Sequence, residues 1–260
     1  MRITLIGSGN VATHLAAALK NAGHSIVQVY SRTMQNAALL AYHVKAEAID
    51  DLNAINPDTD LFIIATKDDA IGPIAEQLAT HEKLMVHTSG ATDLYSLLAF
   101  SDSVGVFYLL QTFSKTKEVD FRNVPLCIEA KDEAIAKTLE QLAQTISNKV
   151  SFINSEKRKS LHLAAVFACN FSNNLYTIAQ QIIAKQGLDF ELLRPLIQET
   201  AEKVQKDIPA NVQTGPAIRN DEITMAMHQQ LLEGEPELKQ LYFLLSQGII
   251  KLGNTQRGDK

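Results

Sequence analysis

The stretch ITLIGSGNVATHLAAALKN, residues 3–21, decides how this chain folds. Its first residues, Ile3 to Ile6, form a short apolar run typical of a buried strand. Residues Val11 to Asn21 have the pattern of a helix. Between them, Gly7-Ser8-Gly9-Asn10-Val11-Ala12 follows the strand directly and opens the helix. Glycines in this context predict the phosphate-binding turn of a dinucleotide-binding domain.

Each position of this turn has a physical role in that prediction. The first glycine makes the tight turn, the second lets the backbone approach a pyrophosphate, and Ala12 lets helix and strand pack closely. Free backbone N–H groups and the helix dipole then attract the phosphates. The alternative is a plain strand-to-helix turn without a ligand. The residues predicted to contact the cofactor here are Gly7, Ser8, Gly9, Asn10 and Val11.

The end of the second predicted strand indicates which dinucleotide is bound. NAD-specific sites usually place an Asp or Glu there for the ribose 2′-hydroxyl, whereas this chain has Ser31-Arg32-Thr33. Arg32 can stack on the adenine or pair with a 2′-phosphate, and Ser31 and Thr33 can donate hydroxyl hydrogen bonds. We therefore predict NADP(H), although Arg32 as a solvated loop residue stays an alternative.

Two further strand ends carry polar residues that we expect near the ribose and nicotinamide. Ligands of open parallel sheets lie beyond the carboxyl ends of the strands. Ala65 and Thr66 end one apolar run, and His87 and Ser89 lie at the end of the next. His87 is a candidate catalytic residue, while a purely structural histidine is the competing interpretation. Ala65, Thr66 and Ser89 are assigned to the cofactor.

The order of the predicted elements indicates an α/β domain followed by an all-α domain. Apolar strand-like runs alternate with helical segments up to residue 153, which is typical of βαβ units and a parallel sheet. After residue 154 only helical patterns follow, beginning with one long helix over Glu156 to Lys185. We therefore predict a Rossmann NADP-binding domain over 1–153 and an all-α domain over 154–260.

Composition excludes several classes of protein. A formal net charge of −5 argues against an extended nucleic-acid surface. No apolar run approaches membrane-spanning length, and we expect no membrane partner. The only two cysteines, Cys127 and Cys169, form no metal-binding or redox pair, so we predict no metal site. The strand beginning near Met1 leaves no room for a signal peptide, and we expect a cytoplasmic protein.

Several motifs in order resemble one bacterial family. They are GSGNVATHLA (7–16), SRT (31–33), ATKDDAI (65–71), HTSG (87–90), QTFSK (111–115), KSLHLAAVFACNF (159–171) and TGPAIRND (214–221). The chain resembles the Rossmann-like family whose C-terminal part is a domain of unknown function and whose members are commonly named NADP oxidoreductases. It is more distantly similar to pyrroline-5-carboxylate reductase, deazaflavin-dependent NADP reductases and β-hydroxyacid dehydrogenases. The resemblance implies a helical domain that completes the site and often forms a dimer.

The long helix departs from the β-hydroxyacid dehydrogenase pattern, in which a Lys and an Asn lie one turn apart. Four positions after Lys159, this chain has Leu163 instead of Asn. At about 100° per residue, His162 and Asn173 point nearly the same way and Asn170 lies to one side. Polar groups in this apolar run suggest a cleft, with His162 as proton donor or acceptor and Asn170 or Asn173 orienting the substrate. The alternative is that these residues satisfy loops or a dimer contact.

The cofactor motifs favour an NADP-binding protein, and the resemblance implies an oxidoreductase that acts on a small molecule and an all-α domain over 154–260 that binds the substrate and forms a homodimer. Arg219, in the TGPAIRND loop, could bind an anionic substrate or the partner subunit. One alternative is an imine reductase of the pyrroline-5-carboxylate reductase type. Another is a non-catalytic NADP(H) sensor. A ligand-sized polar cleft facing the nicotinamide would favour an enzyme, and an apolar seal would favour the sensor.

Overall fold

The computed structural model describes residues 1–114 and 116–258, with side chains through residue 255. Lys115 of the QTFSK motif lies outside the described residues. The chain divides into two compact units, Met1–Leu175 and Tyr176–Lys260. The predicted change from strands to helices occurs after Val150–Phe152, but the first unit continues through the following helical segment to Leu175.

The first unit is built on one eight-stranded sheet. The strands are β1 Arg2–Ile6, β2 Ser25–Tyr30, β3 Glu47–Ile49, β4 Leu61–Ile64, β5 Leu84–His87, β6 Val104–Leu109, β7 Leu126–Ala130 and β8 Val150–Phe152. Their order is β3-β2-β1-β4-β5-β6-β7-β8, and all neighbours are parallel except β6 and β7. The predicted α/β fold class is confirmed.

Apolar side chains cover both faces of this sheet, which is why its central strands are nearly continuous hydrophobic runs. Every residue of β4 and β6 is buried. One core lies around Leu5, Ile63 and Phe107, and the other lies around Phe62 and Ile64. The helices of this unit are α1 Asn10–Asn21, α2 Met34–Val44, α3 Ile71–Leu78, α4 Tyr95–Leu98, α5 Glu133–Ile146 and α6 Ser155–Ala165, with a π-helical turn over Val166–Phe171.

The second unit is helical in the part of it that the structure describes. After α7 Ser172–Ala184, which begins in the first unit, come α8 Arg194–Lys206, α9 Pro216–Arg219, α10 Glu222–Leu231 and α11 Pro236–Gly258. Pro195 lies in the first turn of α8, where its missing N–H costs no helical bond. Among the described residues, no helix has the length and apolar character needed to cross a membrane.

The order of the strands places a crevice beside β1. The chain proceeds from β1 to β2 and β3 on one side of β1 and from β4 onward on the other. The carboxyl ends of β1, β4 and β5 therefore meet at a topological switch point, which is where doubly wound sheets bind ligands. This is the edge on which the glycine-rich turn lies.

Candidate active site

Gly7 is required by the fold itself. It has φ +121°, and its N–H donates to the Tyr30 carbonyl at 2.8 Å. A Cβ at this position would lie 2.3 Å from the Ala65 carbonyl oxygen. The turn therefore brings the backbone of β1 against β4 in a way that no other residue allows.

Gly9 differs from Gly7 because nothing in the chain requires a glycine there. It is the N-cap of α1 with φ −75°, and a Cβ would meet no atom within 4 Å. Helix α1 begins without a side-chain cap and without an acidic residue in its first turn. Its first N–H groups are therefore open to an anion, and the space above Gly9 lets a ligand approach the backbone.

The predicted cofactor residues surround a cleft of about 750 Å³ beside this turn. Ser8 Oγ donates to Ser31 Oγ at 3.1 Å, which joins the phosphate turn to the end of β2. The Asn10 side chain donates to the Phe113 carbonyl at 2.9 Å, which ties the start of α1 to the segment after β6. The predicted residues that line the cleft are Gly7, Ser8, Gly9, Asn10, Val11, Ser31, Arg32, Ala65 and Thr66.

Two of the predicted cofactor residues do not line this cleft. Thr33 is the N-cap of α2, with an extended backbone. Ser89 organises the loop after β5, where its Oγ accepts hydrogen bonds from the N–H groups of Ala91 at 3.1 Å and Thr92 at 2.9 Å. Ser89 therefore shapes the loop after β5.

His87 lies in the interior at the end of β5. It is fully buried, and its Nδ1 accepts the Ser89 N–H at 3.2 Å. Its Nε2 has no hydrogen-bond partner among the described residues. Burial, together with the Arg158 charge, lowers the pKa of His87 to about 4, against the weaker opposite effect of Asp68 and Asp93. The geometry places His87 as a neutral support of the loop rather than at an open cavity.

We predict that His87 makes the protein lose stability as the pH falls from about 6.5 to about 4. In this window the unfolded chain binds a proton that the folded chain excludes, so lowering the pH favours unfolding. A shift of this size corresponds to about 3 kcal/mol. Urea unfolding between pH 7 and pH 4 should show that His87→Gln loses correspondingly less stability than the unaltered protein.

His24 also contributes to the loss of stability at low pH, but this contribution cancels when the unaltered protein is compared with His87→Gln. The pKa of His24 is likewise lowered, by burial and by the N-terminal ammonium group, but His24 is the same in both proteins. Equal losses of stability in the two proteins would contradict the assignment to His87.

A buried ion pair anchors α6 to the sheet. The sequence patterns did not indicate this pair. Arg158 is fully buried and forms a salt bridge with Glu129 of β7. Arg158 also donates to the Thr92 carbonyl, and Ser155 donates to Glu129 through its N–H at 2.8 Å and its Oγ at 2.7 Å. This cluster holds the loop after His87 against the start of α6. Arg158 and Glu129 lie among other charged residues in the sequence, so nothing in the sequence indicated that they are buried.

His162 lies one turn further along α6, between Gly90 and Tyr108. A Cβ on Gly90 would lie 2.6 Å from the His162 ring, so Gly90 lets the imidazole approach the loop backbone. The Tyr108 hydroxyl lies 3.0 Å from His162 Nδ1, and the two rings meet edge to face at 5.9 Å. Burial raises the pKa of Tyr108 to about 12, so its phenol stays protonated at neutral pH. The sequence offered no sign of Tyr108, which lies within the apolar run of β6.

His162 and Asn170 line a second cavity of about 380 Å³, whereas Asn173 is not among its lining residues in the described chain. The reason is the π-helical turn over Val166–Phe171, which inserts about one residue into the helix. At about 100° per residue, one extra residue brings Asn170 onto the face of His162 and turns Asn173 away. The expectation that His162 and Asn173 point nearly the same way assumed an uninterrupted α-helix, whereas the structure has a π-helical turn between them.

Two other groups singled out by the sequence lie elsewhere. Lys159 forms a salt bridge with Asp93 at 3.0 Å and does not line the cavity. Arg219 is exposed at the end of α9 in the second unit. The polar groups at this cavity therefore come from β6, the segment that follows it and the long helix.

Comparison with known proteins places this geometry in a family. Residues 2–90 match the family described as NADP oxidoreductase coenzyme F420-dependent, and residues 124–249 match a domain of unknown function, DUF2520. A crystal structure from Bacteroides fragilis, named a putative NADP oxidoreductase, is 45% identical with a TM-score of 0.91. The alignment covers 96% of this chain and 98% of that one. The chain belongs to this NADP oxidoreductase family.

More distant members of the same fold include enzymes with known reactions. An imine reductase from Myxococcus stipitatus in complex with NADP+ is 13% identical with a TM-score of 0.66, covering 100% of this chain and 95% of that one. A pyrroline-5-carboxylate reductase from Coxiella burnetii is 15% identical with a TM-score of 0.59, covering 98% and 97%. No curated protein matched the chain. The family confirms the predicted resemblance and the NADP type of the nucleotide-binding domain.

Proposed function

We propose that this member of the NADP oxidoreductase family is an NADP(H)-dependent enzyme that reduces or oxidises a small molecule at the cavity beside His162. The observation that carries the proposal is the open backbone at Gly9, above an uncapped helix with no acidic residue in its first turn. That cradle fits a pyrophosphate, because a Cβ would fill the space that a ligand needs.

The carboxyl ends of the strands indicate where each part of the cofactor would lie. The adenosine half would lie toward Ser31 and Arg32 at the end of β2, with the pyrophosphate on α1 and the nicotinamide toward the ends of β4 and β5. When bound there, the nicotinamide supplies or accepts a hydride. The next strand, β6, ends at the cavity of His162. The chain itself would bind the substrate, exclude water and move the accompanying proton.

His162 is the group proposed to move that proton. Its ring is held by Tyr108 on Nδ1 and by the close approach of Gly90, which leaves Nε2 as the nitrogen available to a substrate. An imidazole can give or take a proton near neutral pH. Asn170 lines the same cavity and can orient the substrate through its amide.

This cavity supports an enzyme over a non-catalytic sensor. It is large enough for a small ligand, and Tyr108, His162 and Asn170 contribute polar groups to a lining that is otherwise mostly apolar. The ion pair of Lys159 with Asp93 argues against a β-hydroxyacid dehydrogenase, since the lysine of that pattern is engaged elsewhere. An imine reductase remains the second candidate, on the fold shared with the reductases from Myxococcus stipitatus and Coxiella burnetii.

We predict that Arg32→Ala weakens NADPH binding about 10- to 100-fold and changes NADH binding little. A charge-assisted hydrogen bond to the 2′-phosphate contributes about 1.5–3 kcal/mol, and NADH lacks that phosphate. Fluorescence titration at one ionic strength measures both affinities. Lys137→Ala, which removes an exposed positive charge on α5, should leave both unchanged. Equal weakening of NADPH and NADH by Arg32→Ala would contradict the proposed role.

A cytoplasmic homodimer completes the proposal. After residue 176 the described chain buries only three apolar side chains, those of Ala217, Met225 and Leu232. Many large apolar side chains are exposed in the same region, including Ile223, which is 77% exposed, and Leu231, which is 80% exposed. So small a core does not stabilise a helical unit, and a second copy can cover the exposed side chains. Sedimentation equilibrium should give twice the chain mass, and a monomer would contradict the dimer.

A further inference from the structure

The cavity beside His162 has a mostly apolar lining with a few polar groups. Among the described residues, it contains no Lys, Arg, Asp or Glu. Its apolar part is formed by Leu110, Leu161, Val166 and three alanines. Its polar part is the His162 imidazole together with hydroxyl and amide groups, mainly those of Tyr108, Gln111 and Asn170.

Among the residues that the structure describes, the charged side chains nearest to the lining residues in the sequence are engaged elsewhere. Arg158 is buried against Glu129 and the Thr92 carbonyl, and Lys159 is paired with Asp93. Neither lines the cavity. A carboxylate placed there would be partly desolvated without a cation to pair with, which is unfavourable.

His162 cannot act as the cation that pairs with a substrate carboxylate. Its Nδ1 is hydrogen-bonded to Tyr108, which leaves Nε2 as the one ring nitrogen for the substrate. If Nε2 gives the proton of the reaction, it must face the reacting oxygen or nitrogen. It cannot then also bind a carboxylate elsewhere on the molecule.

From this lining we infer that the substrate is a small, uncharged carbonyl or imine compound with an apolar body. This inference rests on the proposed function. In the reducing direction, a hydride from NADPH forms a bond to the carbon of the C=O or C=N group. The π electron pair moves to the oxygen or nitrogen, which takes the Nε2 proton of the His162 imidazolium and leaves a neutral imidazole. The cofactor leaves as NADP+, and the product is an alcohol or an amine.

Two matched pairs of probes test the charge of the substrate. They are 1-pyrroline against 1-pyrroline-5-carboxylate, and methyl acetoacetate against acetoacetate. Each is titrated calorimetrically into the NADP+-loaded protein, and NADPH oxidation is then followed by absorbance. We expect the uncharged member of at least one pair to bind at least about tenfold more tightly than its carboxylate partner, because the carboxylate remains unpaired.

A charge-introducing variant tests whether this cavity is responsible. Cys169 lines the cavity and is exposed, so Cys169→Lys can place an ammonium group there without disturbing the core. It should reduce or reverse the preference by at least about tenfold. Cys169→Met, of similar length and without charge, should keep the preference of the unaltered protein.

Three results would overturn the inference. They are an equal or tighter affinity for the carboxylates, no binding of any of the four probes, and the same preference in Cys169→Lys as in Cys169→Met. NADPH binding is measured first in each protein. A failure to bind NADPH would instead refute the proposed function, so the two failures are distinguishable.

Discussion

Replacing Gly9 by alanine is expected to weaken NADPH binding at least about 100-fold, or about 2.7 kcal/mol, while the fold stays intact. The added Cβ meets no atom of the described residues within 4 Å, and φ at Gly9 is −75°, which alanine adopts freely. The methyl group would occupy the space through which the backbone must approach the pyrophosphate. The substitution should therefore affect the ligand and not the protein.

The free energy of unfolding provides the internal control for Gly9→Ala. Loss of a favourable N-cap residue and the lower entropy of the unfolded alanine chain oppose each other, so the net change should stay within about 1 kcal/mol. Gly7→Ala offers the contrast, because its Cβ would lie 2.3 Å from the Ala65 carbonyl oxygen. We expect Gly7→Ala to be strongly destabilised. Normal NADPH affinity in a folded Gly9→Ala protein would contradict the placement of the pyrophosphate.

Removing the buried charge of Arg158 should cause the largest loss of stability among these variants. Arg158→Met leaves the Glu129 carboxylate in the interior without its cation and deprives the Thr92 carbonyl of a donor. Breaking a buried pair on one side typically costs about 3–5 kcal/mol. Urea unfolding monitored by circular dichroism measures this loss. The loop after His87 should also become more accessible to amide hydrogen exchange.

Two further variants separate the unpaired charge from a general loss of packing. The double variant Glu129→Leu/Arg158→Met removes both charges and should recover part of the stability lost in Arg158→Met. Lys131→Met removes one partner of an exposed pair with Asp102 and should change stability little. The single variant Glu129→Leu completes the set. If the double variant lost as much stability as the two single variants lose in sum, the broken ion pair would not be the cause of the loss in Arg158→Met.

The sheet and the phosphate turn were predictable because their signals are local. Apolar runs such as Leu61–Ile64 need only their own length and composition to be recognised as buried strands. Gly7 and Gly9 are meaningful once a strand precedes them and a helix follows. β3 was missed, since this edge strand has three residues and only Ile49 is buried. A segment that short has no periodicity to detect.

The substrate side of the site was less predictable because its geometry depends on contacts distant in sequence. Asn170 rather than Asn173 lines the cavity with His162 among the described residues. A π-helical turn lies between His162 and Asn173, and no residue of Val166–Phe171 predicts such a turn from sequence. The Glu129–Arg158 pair joins groups 29 positions apart. Tyr108 has the pattern of a core residue in β6, and only its hydroxyl contact with His162 shows its place in the site.

Titration of the unaltered protein with NADPH and with NADH, followed by nicotinamide fluorescence, tests the central claim most directly. We expect saturable binding of NADPH with an affinity at least about tenfold higher than that for NADH, since only NADPH carries the 2′-phosphate that the Arg32 guanidinium would bind. Failure of both nucleotides to bind at millimolar concentration would contradict the dinucleotide site itself. Equal affinity for the two would contradict its assignment to NADP(H).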